Sequence, residues 1–198
     1  MNEEIFNEIA KRYDNEERRH LAGIILNELK QHLDNTEGKV LLDYGAGTGL
    51  LGLELSDSFE KVHLADASSE MVKVLKEKID IANIKNAQAQ EMNLLESDTI
   101  IKADTIIMSL VLLHVKDHQK LIQKLYDALS DGGEVYIVDF DKNDQVTHPK
   151  VTNGFTHGNL KEMMENAGFK NIKVKNFYEG KEIFVKTDAT VLIASAEK

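Results

Sequence analysis

The residues of this chain best placed to do chemistry form two groups. The first is Asp43-Tyr44-Gly45-Ala46-Gly47-Thr48-Gly49, directly after the apolar run Val40-Leu41-Leu42. Glycines at alternate positions let a backbone turn sharply and let a ligand approach with no Cβ in the way. The second is Asp66, which ends the segment Lys61 to Ala65 and lies 21 residues after Gly45. In an open parallel sheet the ligand crevice lies beyond the carboxyl ends of the strands. An acid at the end of the second strand can accept hydrogen bonds from both hydroxyls of a ribose. A dinucleotide fingerprint, G-x-G-x-x-G, would place its third glycine at position 50, where this chain has Leu50. The spacing here is G-x-G-x-G.

Further candidates lie downstream. His114 follows the apolar run that ends at Leu113, and an imidazole with an ordinary pKa of about 6.5 suits a general base or a substrate contact. Asp139 stands at the carboxyl end of the segment Glu134 to Val138, where it could touch a substrate. His148 and His157 flank a loop containing Pro149 and are candidate substrate contacts. No metal site is expected. His114 and His118 are four apart, but Asp117 between them reads as a helix cap, so they share no helical face. Asp139 to Asp144 opens like a calcium loop, yet its sixth position is not glycine and its twelfth is Lys150. The run Glu16-Glu17-Arg18-Arg19-His20 reads as a solvated helix face, the alternative being that Arg18 or Arg19 reaches a carboxylate.

Helix-period and strand-like segments alternate along the chain, the pattern of a parallel sheet with crossover helices. An N-terminal stretch carries the stripes Ile5, Ile9, Tyr13 and then Leu21, Ile24, Ile25, Leu29, Leu33. Strands are expected at 40–43, 61–66, 86–90, 105–112, 134–138, 171–177 and 190–196. Helices are expected over Leu50 to Leu55, from Ser68 or Ser69 to Ile79, from Asp117 to Leu129, and from Thr156 to Ala167 with Gly168 as a left-handed stop.

The length of 198 residues favours one domain with a sizeable core. A net charge of −10 argues against a partner with a phosphate backbone. The absence of cysteine excludes disulfides, thiolate metal ligands and a cysteine nucleophile. The acidic start Met1-Asn2-Glu3-Glu4 is unlike a signal peptide, and the longest apolar stretch, Ile106 to Leu113, falls far short of the ~20 residues of a membrane span. A soluble cytoplasmic protein with no membrane partner is the expectation.

Read in order, Val40 to Gly49, Ala65-Asp66-Ala67-Ser68 with Met71, Ser109 to Val115, Leu129-Ser130-Asp131-Gly132-Gly133, and Gly154-Phe155 through Ala167-Gly168-Phe169 resemble the class I S-adenosylmethionine-dependent methyltransferases. The chain is most similar to the small single-domain branch that includes the ubiquinone/menaquinone-type methyltransferases. The resemblance implies an α/β Rossmann-like sheet of order 3-2-1-4-5-7-6, the last strand antiparallel and helices on both faces. It implies S-adenosyl-L-methionine as cofactor and S-adenosyl-L-homocysteine as product.

The same resemblance implies site roles. Gly45, Ala46 and Gly47 line the methionine part of the cofactor and Asp43 sets their loop. Asp66 takes the ribose hydroxyls, Ala67 and Met71 border the adenine, and Glu91 and Met92 meet its edge. Ser109 and Leu110 close the site, and His114 matches a histidine common in that segment. Relatives often carry an aspartate after a glycine where this chain has Gln90-Glu91, and a His-His pair where it has Leu113-His114. Residues 1–35 are expected to form a helical cap. Phe6 and Tyr13 within it read either as packing or as a lid whose aromatic faces attract a sulfonium.

The function this points to is in-line methyl transfer to a small-molecule acceptor, with no nucleic-acid partner. A nicotinamide-dependent oxidoreductase shares the strand–glycine–helix start, with Leu50 against it. A non-catalytic cofactor-binding module shares the fold. With Pro149 as the single proline, the Pro-Pro-aromatic motif used on exocyclic amines is absent.

Overall fold

The computed structural model describes residues 3–97 and 101–198, without the side chains of residues 3–5 and 11; the expected stripe residue Ile5 is therefore outside the described side chains. Seven strands, β1 (Val40–Tyr44), β2 (Lys61–Asp66), β3 (Ala87–Glu91), β4 (Ala103–Ser109), β5 (Leu129–Phe140), β6 (Lys170–Phe184) and β7 (Thr187–Glu197), form one sheet of order β3-β2-β1-β4-β5-β7-β6. β1 to β5 pair in parallel, and β7 runs antiparallel to both β5 and β6. This is the expected fold.

The helices are α1 (Glu3–Ile9), α2 (Glu16–Lys30), α3 (Ser69–Ala82), α4 (His118–Ala128) and α5 (His157–Ala167). The sheet is built outward from β1 in two directions. Right-handed crossovers therefore put α3, between β2 and β3, on one face and α4, between β4 and β5, on the other. The ends follow the side chains the sequence supplies. Ser68 accepts the Met71 N–H, Asp117 that of Lys120 and Thr156 that of Asn159, each cap worth about 1 kcal/mol. Gly168 stops α5 at φ +101°.

Several expected elements differ. The short helix over Leu50 to Leu55 is a series of turns ending in a 3-10 turn at Ser56–Ser58. A helix would give the Gly52 N–H to the Thr48 carbonyl; instead Gly52 donates to Asp43 Oδ2 at 3.0 Å, and the Thr48 carbonyl accepts from Lys78 Nζ at 2.7 Å. The fourth strand stops at Ser109 rather than 112, because Leu110 turns the chain at φ +55° into a 3-10 turn, Leu112–His114. β6 and β7 run longer than expected as one antiparallel pair.

The core lies where β1, β2, β4 and β5 meet their helices. Leu41, Leu42, Leu64, Ile106, Ile107 and Ile137 are fully buried. α2 buries Ile25 and Leu29, and its C-terminal end is tied to the far side of the sheet. Glu28 Oε1 lies 2.8 Å from His32 Nε2 and 2.7 Å from Lys175 Nζ, while the Tyr136 hydroxyl donates to the His32 carbonyl. That anchorage leaves the N-terminal end of α2 at the carboxyl ends of the central strands, over the glycine loop.

Candidate functional site

The carboxyl ends of β1 and β2 carry the glycine loop and Asp66. Gly45, Gly47 and Gly49 have φ of +77°, +56° and +85°, a region that side chains rarely occupy. A Cβ on Gly45 would also lie 2.2 Å from Cγ2 of Val111, so the loop fits closely against the segment after β4. The loop N–H groups turn inward. Gly45 and Ala46 donate to the Ala65 carbonyl, Gly47 to Asp66 Oδ2 at 2.8 Å, and Gly49 to the Ala46 carbonyl. The N–H groups of these four loop residues are thus engaged within the protein.

Asp66 is held on both oxygens, Oδ2 by Gly47 and Oδ1 by the Ser68 N–H at 2.8 Å. An ionised carboxylate offers about four acceptor sites in all. Asp43 is buried, and burial pushes its carboxyl up to about 7, with the Asp66 charge adding to the effect. It sets the loop through Gly52. Around Asp66, Ala67 and Met71 are buried, and Met92 is buried with its N–H on the Asp66 carbonyl. Glu91 pairs in register with Asp66 and is exposed.

A cleft of about 560 Å³, counted with its solvent-open part, adjoins the loop. That is within the range of small-ligand sites. Asp43, Gly45, Ala46, Gly47, Ser109 and Leu110 line its sheet side; Tyr13, Arg18, Leu21, Ala22 and Ile25 line the other. The N-terminal segment straps across this opening. The Tyr13 ring lies 3.7 Å from where a Gly47 Cβ would be, and burial raises its phenol pKa. Asp14 accepts from the Thr48 hydroxyl and from Lys78 Nζ, the latter at 2.6 Å. Asn7 Oδ1 accepts from the Ser68 hydroxyl at 2.6 Å. One face of Tyr13 carries the Arg18 guanidinium, 4.2 Å from the ring centre, so that face is closed to a sulfonium.

On the β4–β5 side the sequence candidates separate. His114 lies under the strap, with Phe6 edge-on at 5.1 Å. Its Nδ1 is buried without a partner, and burial lowers its pKa to about 4, with the charge of His148 contributing. The ring is neutral at physiological pH. Asp139 is corrected: it is 0% exposed and touches no cleft. Its oxygens accept the N–H groups of Leu113 and Phe140, and burial pushes it up to about 7. It sits at a strand's carboxyl end, as expected, but points inward and fixes the turn that carries His114. His157 is also corrected. Its Nε2 lies 2.7 Å from Asn176 Oδ1 on β6, outside the cleft lining. His148 is exposed and caps its own loop by accepting the Lys150 N–H.

Asn7, Asp14 and Lys78 were not legible in advance. Asp14 and Lys78 are 64 positions apart, so no local spacing announces them. Among the described residues no cluster of His, Asp or Glu could hold a metal ion, and no helix is long and apolar enough to cross a membrane.

Comparisons with known proteins agree with this geometry. A family model described as "Methyltransferase domain" matches residues 13–174. The chain is 26% identical over 157 residues to an uncharacterized methyltransferase of Schizosaccharomyces pombe, covering 69% of this chain and 55% of that one. It is 25% identical over 181 residues to the ubiquinone/menaquinone biosynthesis C-methyltransferase UbiE of Haemophilus ducreyi, covering 73% and 69%. The chain thus spans between half and two thirds or so of the length of these relatives. Among solved structures, phosphoethanolamine N-methyltransferase 2 of Haemonchus contortus, in complex with phosphomonomethylethanolamine and S-adenosylhomocysteine, superposes with a TM-score of 0.74 at 16% identity, over 98% of this chain and 60% of that one.

Proposed function

This chain belongs to the methyltransferase domain family, and from that premise we propose that it is an S-adenosylmethionine-dependent methyltransferase acting on a small-molecule acceptor. The observation that carries the reading is the glycine loop closed onto Asp66, with the loop N–H groups engaged internally. Such a loop offers close backbone approach and a ribose acceptor, with the N–H groups of Gly45, Ala46, Gly47 and Gly49 already engaged within the protein. It therefore favours a phosphate-free nucleoside over a nicotinamide dinucleotide.

The residues present fit that cofactor: a carboxylate for two hydroxyls, a half-open cleft beside the glycines and a cation at its edge. Gly45, Ala46, Gly47, Ser109 and Leu110 would hold the methionine part, Asp66 the ribose, and Ala67, Met71, Glu91 and Met92 the adenine. S-adenosylmethionine, when bound, supplies a methyl group on a sulfonium whose departing sulfide is neutral. The protein's own task is then mainly to align and to exclude water. The strap that carries Phe6 and Tyr13 covers the opening. Neutral His114 can accept a hydrogen bond or a proton from an acceptor at its unpartnered Nδ1. The net charge of −10 supports a small acceptor over a nucleic acid, and the absence of cysteine suits a cytoplasmic setting.

Thermal denaturation tests the reading. S-adenosylmethionine or S-adenosylhomocysteine at a hundred times its Kd should raise Tm by about 5–11 °C, with no shift for NADH. A shift with NADH alone would overturn the proposal. Turnover to S-adenosylhomocysteine over a metabolite panel then separates an enzyme from a binding module.

A further inference from the structure

Asp139 is a fully buried acid between two buried apolar residues of β5, Val138 and Phe140. Burying a carboxyl costs free energy that an apolar side chain at the same place would not, so what its oxygens hold accounts for it. They hold backbone. Oδ1 accepts the Phe140 N–H at 2.8 Å and Oδ2 the Leu113 N–H at 3.2 Å. The other polar group of Leu113, its carbonyl, accepts the Thr152 N–H at 2.8 Å. That carbonyl belongs to the peptide that enters His114, whose own N–H donates to the Val111 carbonyl at 2.9 Å. The peptide planes on both sides of Leu113 are thus fixed, and with them the direction in which the His114 side chain leaves the backbone. We propose that Asp139 is a positioning residue for methyl transfer, aiming His114 at the acceptor through the backbone of Leu113. This rests on the reading of His114 as the group that meets the acceptor.

The turn needs this outside support. Leu112–His114 is a single 3-10 turn, a geometry with poorer hydrogen bonds than an α-helix, and it follows Leu110 at φ +55°. β5 steadies its approach as well, because the Val138 carbonyl accepts the Leu110 N–H at 2.8 Å. Asp139 is the next residue along the same strand, so a rigid sheet carries both contacts. Thr152 supports the turn from the other side and is itself braced by His118. The Thr152 hydroxyl lies 3.3 Å from His118 Nε2. The His118 ring is hydrogen-bonded to the Val115 carbonyl and stands edge-on to Phe155 at 5.0 Å. The two histidines four residues apart therefore divide the work: His114 lies under the strap with its Nδ1 unpartnered, and His118 braces the turn that carries it.

The test reads His114 and turnover separately. The full chain is made as wild type, Asp139→Ala, Asp139→Asn and Val62→Ala, with Tm recorded for each. Val62 is buried near the start of β2, at the opposite end of the sheet, so that variant loses stability without touching the turn. The His114 ring is titrated by NMR. The kcat and the KM for S-adenosylmethionine are measured by release of S-adenosylhomocysteine, with the metabolite panel as the source of acceptor. In wild type the ring titrates at about 4. In Asp139→Ala it should move toward the ordinary value of about 6.5, and kcat should fall at least about tenfold with an unchanged KM for S-adenosylmethionine. Asp139→Asn keeps one acceptor oxygen and should lie between the two. Val62→Ala should lower Tm and leave the titration and kcat as in wild type. A wild-type titration and kcat in Asp139→Ala would overturn the proposal. So would the same changes in Val62→Ala, because they would trace to lost stability alone. If Asp139→Ala does not fold, Asp139→Asn decides on the same two readings. A shifted titration with unchanged kcat overturns the underlying reading instead: Asp139 would aim His114, but His114 would not serve the acceptor.

Discussion

The two halves of the cleft are built differently. On the β1–β3 side the polar groups around the opening are tied to one another. The loop N–H groups reach Ala65 and Asp66, Asp66 reaches Gly47 and Ser68, and the strap is bonded through Asn7, Asp14 and Lys78. On the β4–β5 side the fixed points are below the surface. Asp139 holds the turn from beneath, Leu110 sits at a strained positive φ, and His114 presents a buried nitrogen with no partner. A ligand common to many relatives can be met by a pre-formed backbone site. An acceptor that differs between enzymes is better met by side chains projecting from a rigid turn, which can change without disturbing the fold.

The strongest way to break this division is Gly45→Ala, because Gly45 is where the halves touch. The added Cβ combines a disfavoured φ with a clash against Val111, and a loss of about 3 kcal/mol is expected. Adding Val111→Ala should recover the clash but not the backbone part. Chemical denaturation of the single and double variants measures both. Full recovery would mean that the backbone of the loop is unstrained.

The acceptor side is sharpened by pH. His114 titrates near 4 in the folded chain against about 6.5 unfolded, so below pH 6.5 the unfolded state binds more protons and stability falls as pH drops. Relative to His114→Phe, wild type should lose about 2 kcal/mol between pH 7 and pH 5. Asp43 and Asp139, raised to about 7, act in the opposite sense: the folded chain binds the extra protons, and their contribution falls as pH rises from about 4 through 7. Comparing the two proteins cancels that background. A constant gap would show that His114 is solvated.

Smaller effects are expected on the nucleoside side. Asp66→Asn keeps one acceptor oxygen and loses charge, so S-adenosylhomocysteine binding should weaken about tenfold. Because Asp66 also holds Gly47 and Ser68, the apo protein should melt lower too, whereas an acid that served only the ligand would leave Tm unchanged. Lys78→Met frees the strap from Asp14. Tm should fall by about 2–4 °C, and S-adenosylhomocysteine should dissociate faster in stopped flow. An unchanged off-rate would mean that the strap does not gate the cofactor.

Much of the fold was legible in the sequence because its signals are local. Ser68, Asp117 and Thr156 cap helices through their own next turn, Gly168 ends one, and the run Val40 to Leu42 is apolar because β1 is covered on both faces. The glycine loop and Asp66 were legible for the same reason, since a positive φ and a strand end are properties of a few adjacent residues. The turn at Leu50 to Leu55 was not, because its helix-like pattern is overridden by Asp43 and Lys78, which compete for the groups a helix would pair.

What the sequence by itself determined is therefore the path of the chain and the positions of Gly45, Gly47 and Asp66 at its strand ends. Tertiary structure alone decided which polar groups remain available there. It closed the loop N–H groups onto Ala65 and Asp66, turned Asp139 inward, left His114 neutral beneath Phe6, and brought Arg18 and Asp14 across the opening. Availability depends on burial and on partners remote in the chain, and neither is a property of a residue's type or of its neighbours in sequence.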